Sequence, residues 1–246
     1  MTTFLRSLVL GATPRRAALL GCSTLCGGAA IVHATRSTAV SASAAATDKE
    51  LNDMWAAAVD GWINVPGCES LTTDEGVLYM APKADAAARP IPRLVAKSTI
   101  FSLTAWNPMG KDAPYATNEA QNEYLARDLT KLRPEPRAVW QAFGFHVNEG
   151  WRENGFSVAF ANEERVFGRK SILKLARKYR QAAIYVYHFE PAPEGAGRDN
   201  NGYIVRELLW VGEDYGKIDE KDSTRMQILA APPKTPLAAQ EWRPAE

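Results

Sequence analysis

Acidic residues are missing from the N-terminal part of the chain, where Asp48 is the first residue with a carboxylate side chain. Residues 1–46 contain four arginines and many Ser, Thr and Ala residues. This composition is typical of an organelle-targeting presequence. Arg6 stands between Phe4 and Leu8, so the first turns can form a short basic amphipathic helix. We therefore predict that residues 1–46 are a cleavable leader and that the mature protein lies in a mitochondrion.

The leader permits a second interpretation. Arg15 and Arg16 precede an uncharged run at residues 17–32, and small residues follow at 39–44. This order resembles a twin-arginine export signal, directed to a plastid thylakoid lumen or out of a bacterial cell. The uncharged run is shorter than the roughly 20 apolar residues of a membrane-spanning helix. A retained membrane anchor is therefore not favoured.

Cysteine and histidine are also scarce. Outside the leader, the chain keeps only Cys68, His146 and His188. A single thiol cannot form an internal disulfide or a thiolate zinc site, and the two histidines lack a metal-ligand spacing. The sequence also lacks the GxSxG, GxxxxGK[ST] and GxGxxG motifs. We therefore expect no metal, no cofactor and no covalent nucleophilic catalysis.

Four segments are predicted from the distribution of charge, proline and apolar residues. They are a leader at 1–46, an N-terminal helical segment at 47–75, an α/β domain at 76–215, and a tail at 216–246. The tail is charged, then proline-rich and without sustained periodicity, so we expect it to be partly disordered.

Within residues 76–215, β-forming runs are interrupted by two amphipathic helices. Strands are expected at 76–80, 94–106, 138–146, 155–161, 182–189 and 203–211, and helices at 118–132 and 163–180. In the second helix, Phe167, Ile172, Leu175 and Tyr179 form the predicted apolar stripe. This order predicts an α/β (α+β) two-layer sandwich, with a mixed or antiparallel sheet covered on one face by the two main helices.

Several sequence motifs in this domain resemble one family when taken in order. The first is LTAWNP at 103–108, followed by Asn118 and Asn122, then ENGFSV at 153–158 and LARKYRQAAI at 175–184. Together they resemble the domain of unknown function 3293 family. Gly155 stands where that family usually has Ser, and Ala182 where it usually has Asn. The resemblance implies domain limits and key positions, and it implies no reaction.

The residues of these motifs include a candidate polar site. Its members are Trp106, Asn107, Asn118, Asn122, Glu153 and Gln181. Asn107 follows a predicted strand and precedes a helix, a place where α/β folds often bind ligands. Asn and Gln both donate and accept hydrogen bonds, which suits an amide, base or sugar. Glu153 is the only carboxylate of the set and therefore the candidate catalytic acid or base.

The same residues have a structural interpretation. Asn118 can cap the first helix in a capping box with Gln121, and Asn107 can hydrogen-bond its own turn. Trp106 can be a core residue, and Gln181 can satisfy a backbone group at the end of the second helix. The sequence leaves this alternative open.

A second candidate surface is the basic face of the second helix. It carries Arg169, Lys170, Lys174, Arg177 and Lys178. Without the leader, however, 25 basic residues stand against 28 acidic ones, so the mature chain has a net charge of about −3. Such a chain has no general attraction to nucleic acid or anionic lipid. We therefore interpret this face as solvated, and nucleic-acid binding is not favoured.

Two functions from different classes are consistent with these features. The favoured hypothesis is a non-catalytic organellar protein that binds a protein partner or assists an assembly. The alternative is a small-molecule-binding domain or enzyme that uses the Asn/Glu/Gln cluster. Convergence of the cluster on a concave pocket would favour the alternative.

Overall fold

The computed structural model describes residue 53 and residues 55–146, 151–195, 201–211 and 223–233. All of them belong to the unit Ala44–Glu246. This part of the chain contains eight strands: β1 (Val59–Ile63), β2 (Val77–Pro82), β3 (Ser98–Thr104), β4 (Ala138–Phe145), β5 (Arg152–Ala161), β6 (Ala183–Pro191), β7 (Gly202–Trp210) and β8 (Thr224–Ile228). It also contains three α-helices: α1 (Arg93–Ala96), α2 (Tyr115–Leu129) and α3 (Arg165–Lys178). The predicted leader lies outside the described residues.

The eight strands form a closed antiparallel barrel in the order β1-β2-β8-β7-β6-β3-β5-β4. The ring closes where β4 pairs with β1, with Val59 opposite Phe145 and Trp62 opposite Ala142. The prediction of a two-layer sandwich is therefore wrong. Five of the predicted strands form the continuous sheet β7-β6-β3-β5-β4, and β1 and β8 join it to β2 to complete the ring. Neither β1 nor β8 lies within the predicted limits 76–215.

One end of the barrel interior is filled by apolar side chains. Alternate residues point inward, and this core includes Trp62, Leu78, Ile100 and Trp140. The same cluster contains Val65, Cys68 and Leu71 from the segment after β1 and Val95 from α1. These segments close that end, whereas the opposite end holds the polar residues described below.

Helices α2 and α3 pack against the outside of β3, β5 and β6. Their contact surface is a second apolar cluster, to which α2 contributes Leu125 and Leu129 and α3 contributes Ile172 and Ala176. The helices therefore cover part of the outer barrel wall rather than one face of an open sheet.

The buried face of α3 agrees with the predicted stripe except at Phe167. Phe167 is 65% exposed, whereas Gly168, Ile172 and Ala176 are buried. A Cβ at Gly168 would lie 2.6 Å from Cγ of Phe160, so the absence of a side chain lets the helix approach the buried ring. The predicted stripe is therefore wrong at Phe167, whereas Ile172 and Tyr179 are buried and Leu175 packs against the same cluster.

Candidate functional site

A cavity lies inside the barrel at the end where β3 finishes and β5 and β6 begin. We call it the mouth cavity. Its wall includes Trp62 of β1, Thr104 of β3, Glu153 of β5 and Tyr185 and Tyr187 of β6. Its volume is about 90 Å³, against roughly 10–15 Å³ for a single water on the same measure. The mouth cavity is therefore large enough for a small organic molecule.

Glu153 brings a carboxyl group to the wall of the mouth cavity. It lies opposite Gly144 in the β4–β5 pairing, and its Oε1 accepts a 3.0 Å hydrogen bond from Nδ2 of Asn107. Burial raises the pKa of Glu153 to about 7, and the negative charge of Asp112 acts in the same direction, against the Asn107 hydrogen bond. At neutral pH the carboxyl can therefore either hold or release a proton, which a general acid or base requires.

The amide of Asn107 is oriented by α2. Asn107 has a left-handed backbone with φ of 42°, and its main-chain N–H donates to Oδ1 of Asn118 at 3.1 Å. Nδ2 of Asn118 donates to Oδ1 of Asn107 at 2.9 Å. This reciprocal pair turns Nδ2 of Asn107 towards Glu153. Helix α2 begins at Tyr115 without a side-chain cap, so Asn118 is not the N-cap that the structural interpretation required.

Two further members of the predicted cluster hold the turn after β3. Asn122 accepts a hydrogen bond from the Ala105 N–H at 2.9 Å and donates to the Asn154 carbonyl at 2.7 Å. Gln181 donates from Nε2 to the Trp106 carbonyl at 2.9 Å. The cluster is therefore contiguous, but its members differ in position.

Only part of the cluster reaches the mouth cavity. Asn107, Glu153 and Gln181 line it, whereas Trp106, Asn118 and Asn122 are buried behind it. The predicted site residues therefore comprise a group at the cavity wall and a group that supports it.

A buried ion pair between a wall residue of the mouth cavity and Arg206 behind it was not predicted from the sequence. Nη1 of Arg206 in β7 lies 2.8 Å from Oδ2 of Asp60 in β1, and it also donates to the Ala58 carbonyl at 2.8 Å. Nη2 donates to the Ala56 carbonyl at 2.7 Å. Burial raises the pKa of Asp60, and the Arg206 charge opposes this effect. The available signal was an arginine inside the apolar run IVRELLW, where a buried cation needs a partner.

The tyrosines of β6 were also missed. Tyr185 donates from its hydroxyl to the Trp55 carbonyl at 2.7 Å. The Tyr187 hydroxyl is buried and has no hydrogen bond of normal geometry within the described part of the chain, and the same holds for Nε1 of Trp62. Burial and the nearby Asp60 charge raise the pKa of Tyr187 well above its usual value. Because Trp62 lines the mouth cavity, its indole N–H is a donor that a bound molecule can satisfy, whereas the Tyr187 hydroxyl interacts with Asp60.

The two departures from the family pattern also lie in the wall of the mouth cavity, at Gly155 and Ala182. A Cβ at position 155 would lie 2.4 Å from the Leu103 carbonyl oxygen. The close approach of β3 and β5 therefore requires glycine here.

The basic face of α3 is partly engaged in contacts within the protein. Lys178 forms an ion pair with Asp128 of α2. Hydrogen bonds from Lys178 and the Tyr179 hydroxyl lower the pKa of Asp128 to about 2. Arg177 donates to the Val211 carbonyl at 3.1 Å, whereas Lys170 and Lys174 are exposed. Two side chains of this face therefore hold α3 against α2 and against the residue that follows β7.

Neither a metal centre nor a spanning helix is present in the residues that the structure describes. No group of three or more His, Cys, Asp or Glu side chains there could hold a metal ion. No described helix is long and apolar enough to cross a membrane. Cys68 lies in the apolar core, where burial raises its thiol pKa to about 12 and keeps it protonated.

Comparison with known protein families gives a match in the middle of the chain. The model of a family described as Protein of unknown function (DUF3293) matches residues 103–184, about a third of the chain. The resemblance predicted from the sequence is thereby confirmed. No curated protein and no solved structure matches the chain. The matched segment contains Asn107, Glu153 and Gln181, and it ends just before Tyr185.

Proposed function

We propose that this chain, whose residues 103–184 match the DUF3293 family model, acts as a small-molecule-binding domain whose ligand occupies the mouth cavity. Eight-stranded barrels are wide enough to hold one small ligand. Ligand pockets in proteins are mostly apolar and contain a few oriented polar groups. The mouth cavity fits this description, with aromatic rings along its wall and Glu153 and Asn107 at its edge.

One observation carries the proposal: Glu153 enters the cavity from β5, and Asn107 holds its carboxyl group from the turn after β3. A partly buried carboxyl whose hydrogen-bond partner in the described part of the chain is an uncharged amide is costly, so its position favours a role in binding. Because the pKa of Glu153 is about 7, we also propose that this residue donates a proton to the ligand or accepts one from it. This geometry favours the small-molecule alternative over a purely structural role.

A fragment screen tests the proposal. Ligand-observed NMR with the full chain should identify small aromatic fragments that compete for one site. The affinity of those fragments that carry a charge should change about tenfold or more in Glu153→Gln. Glu135→Gln is the matched control, because Glu135 is an exposed glutamate of the loop before β4. No competing fragments, or charged fragments that bind both variants equally, would overturn the proposal.

A second candidate function is binding of a protein partner in the same organelle. Val166 and Phe167 are neighbours at the start of α3 and are 68% and 65% exposed. Large exposed apolar side chains side by side often mark an interaction surface. The test is co-purification from intact organelles with Phe167→Ser and, as a control on the same helix, Lys174→Ser. A partner that both variants retain equally would exclude this surface.

The leader supports a mitochondrial location for the mature protein. Cleavage should place the mature N-terminus between Ser37 and Asp48, after the acid-free stretch. N-terminal sequencing of the protein from isolated mitochondria tests both points. An N-terminus at Met1, or accumulation in a thylakoid lumen through the twin-arginine-like signal, would contradict this location.

A further inference from the structure

We propose that the mouth cavity selects a small organic cation, with Glu153 as its counter-charge and the aromatic rings of the inner wall around it. The inference rests on the proposed small-molecule function and specifies the class of ligand. Three features of the cavity lead to it: the charges of its wall, the arrangement of its rings, and the hydrogen bonds of its acidic residues.

The charged side chains among the described wall residues are all acidic. They include two carboxylates, Asp60 and Glu153, and no Lys, Arg or His. Asp60 is neutralised by Arg206 at 2.8 Å. Both Nη atoms of Arg206 also donate to main-chain carbonyls, so this pair is already satisfied. The hydrogen-bond partner of Glu153 is the uncharged amide of Asn107. Glu153 is therefore the charge that a ligand can neutralise.

The rings of the inner wall suit a cation. Trp62 and Tyr187 pack edge to face with centroids 4.9 Å apart, and Tyr185 lies 6.3 Å from Tyr187. Ring faces attract positive charge, and clusters of aromatic rings bind organic cations in this way. The guanidinium of Arg206 already lies 4.5 Å from the ring centroid of Tyr185. This contact is an internal example of the same interaction.

An anion does not fit the same wall. Among the described wall residues it would find no Lys, Arg or His to offset repulsion by the Glu153 carboxylate, so the Trp62 donor could serve it only where that carboxyl is protonated. A cation has the opposite dependence on protonation, because it binds the ionised form of Glu153. At neutral pH, where part of the protein has this carboxyl protonated, cation binding therefore releases a proton from it.

The groups that face Glu153 define this pH dependence. Asn107 contacts it from the turn after β3, and Asp112 adds negative charge from the loop before α2. Tyr185 faces it from β6. Asp60 of β1 is the other charged residue of the described wall, and Arg206 of β7 neutralises it. Because burial sets the pKa of Glu153 at about 7, affinity for a cation should rise between pH 6 and pH 8.

Three probes of nearly identical shape test the inference on the full chain: benzamidine, a cation; benzamide, which is uncharged; and benzoate, an anion. At pH 8, isothermal titration should show benzamidine binding about tenfold or more tightly than benzamide, with benzoate weakest. The fraction of ionised Glu153 should fall about tenfold between pH 8 and pH 6, and the benzamidine affinity with it. Benzamide affinity should change little over this range.

The variants separate this inference from the proposed function. Glu153→Gln should lose the preference for benzamidine over benzamide, while its cooperative thermal unfolding shows that the barrel is intact. Glu135→Gln should keep that preference. Equal or tighter binding of benzamide or benzoate by the unaltered protein would overturn cation selectivity and leave small-molecule binding standing. Absence of binding by all three probes would also overturn the inference, while the fragment screen tests the proposed function independently.

Discussion

Asn107 and Glu153, 46 positions apart in the chain, are joined by a 3.0 Å hydrogen bond between Nδ2 and Oε1. The amide donor is fixed by Asn118 from α2, so its orientation does not depend on the carboxyl group. The carboxyl is held in a partly buried position where its charged form is disfavoured. The pair therefore keeps an ionisable group at the mouth cavity at a cost in stability, which leads to measurable consequences.

Glu153→Gln should stabilise the protein at high pH. The folded pKa of about 7 exceeds the ordinary value of 4.5, so the folded state binds more protons than the unfolded state between these values. Stability is therefore lost as the pH rises through this window, by about 2–3 kcal/mol from this residue. Gln can still accept the Asn107 hydrogen bond and has no charge to bury.

Urea unfolding at pH 5 and pH 8 measures this effect. The free energy of unfolding of Glu153→Gln should exceed that of the unaltered protein by about 2–3 kcal/mol at pH 8 and by much less at pH 5. The exposed control Glu135→Gln should follow the unaltered protein at both values. A stability difference that does not depend on pH would show that the carboxyl is not held at a raised pKa.

The two tyrosines of β6 should respond differently to loss of the hydroxyl. Tyr185→Phe removes a 2.7 Å hydrogen bond to the Trp55 carbonyl and should cost about 0.5–1.5 kcal/mol. Tyr187→Phe removes a buried hydroxyl that interacts with Asp60 but makes no hydrogen bond of normal geometry in the described part of the chain, so it should cost less than Tyr185→Phe. Thermal unfolding of the two variants compares them directly, and a larger loss for Tyr187→Phe would contradict the observed hydrogen bonding.

The elements read correctly from the sequence are those with a local signal. Strong β-forming runs and sustained apolar periodicity predicted the strands of the β7-β6-β3-β5-β4 sheet and the helices α2 and α3, with ends shifted by a few residues. Strand β1 lacks such a signal because it contains Asp60 and Gly61. Asp60 can be buried only because Arg206 reaches it, and Gly61 leaves space for the ring of Phe143. These relationships connect distant parts of the chain, so the closure of the barrel could not be predicted.

The site shows the same division. Asn107, Glu153 and Gln181 were predicted because they lie in recognisable motifs, and all three line the mouth cavity. Tyr187 and Arg206 were not predicted, because they join the site only when β6 and β7 form part of a closed ring. Sequence alternation predicts which residues share a sheet face, but not that this face becomes the interior of a barrel.

Gly168→Ala should be destabilising although alanine favours helices. The added Cβ would lie 2.6 Å from Cγ of Phe160, whose ring is fully buried. Helix α3 or the ring must shift, and overpacking of this kind costs about 1–3 kcal/mol. Lys174→Ala, an exposed position on the same helix, should change stability by less than about 0.5 kcal/mol. Chemical unfolding of the two variants tests the packing of α3, and equal stability would contradict the close approach seen here.

Asn107 and Glu153 should affect the stability of the protein as a coupled pair. If each served only its own turn or strand, the free-energy changes of Asn107→Ala and Glu153→Ala would add within about 0.3–0.5 kcal/mol. Because a hydrogen bond joins them, the double variant should deviate from additivity by about 1 kcal/mol. The deviation should be larger at pH 8 than at pH 5, since a charged acceptor strengthens the bond from Nδ2.

The cycle of Asn107→Ala with Glu135→Ala supplies the control, because Glu135 shares no partner with Asn107 and should give no deviation. Additive changes in both cycles at both pH values would mean that the contact contributes nothing to stability. The interpretation of Asn107 as the residue that holds the Glu153 carboxyl would then be wrong, and the mouth cavity would need another explanation for its buried acid.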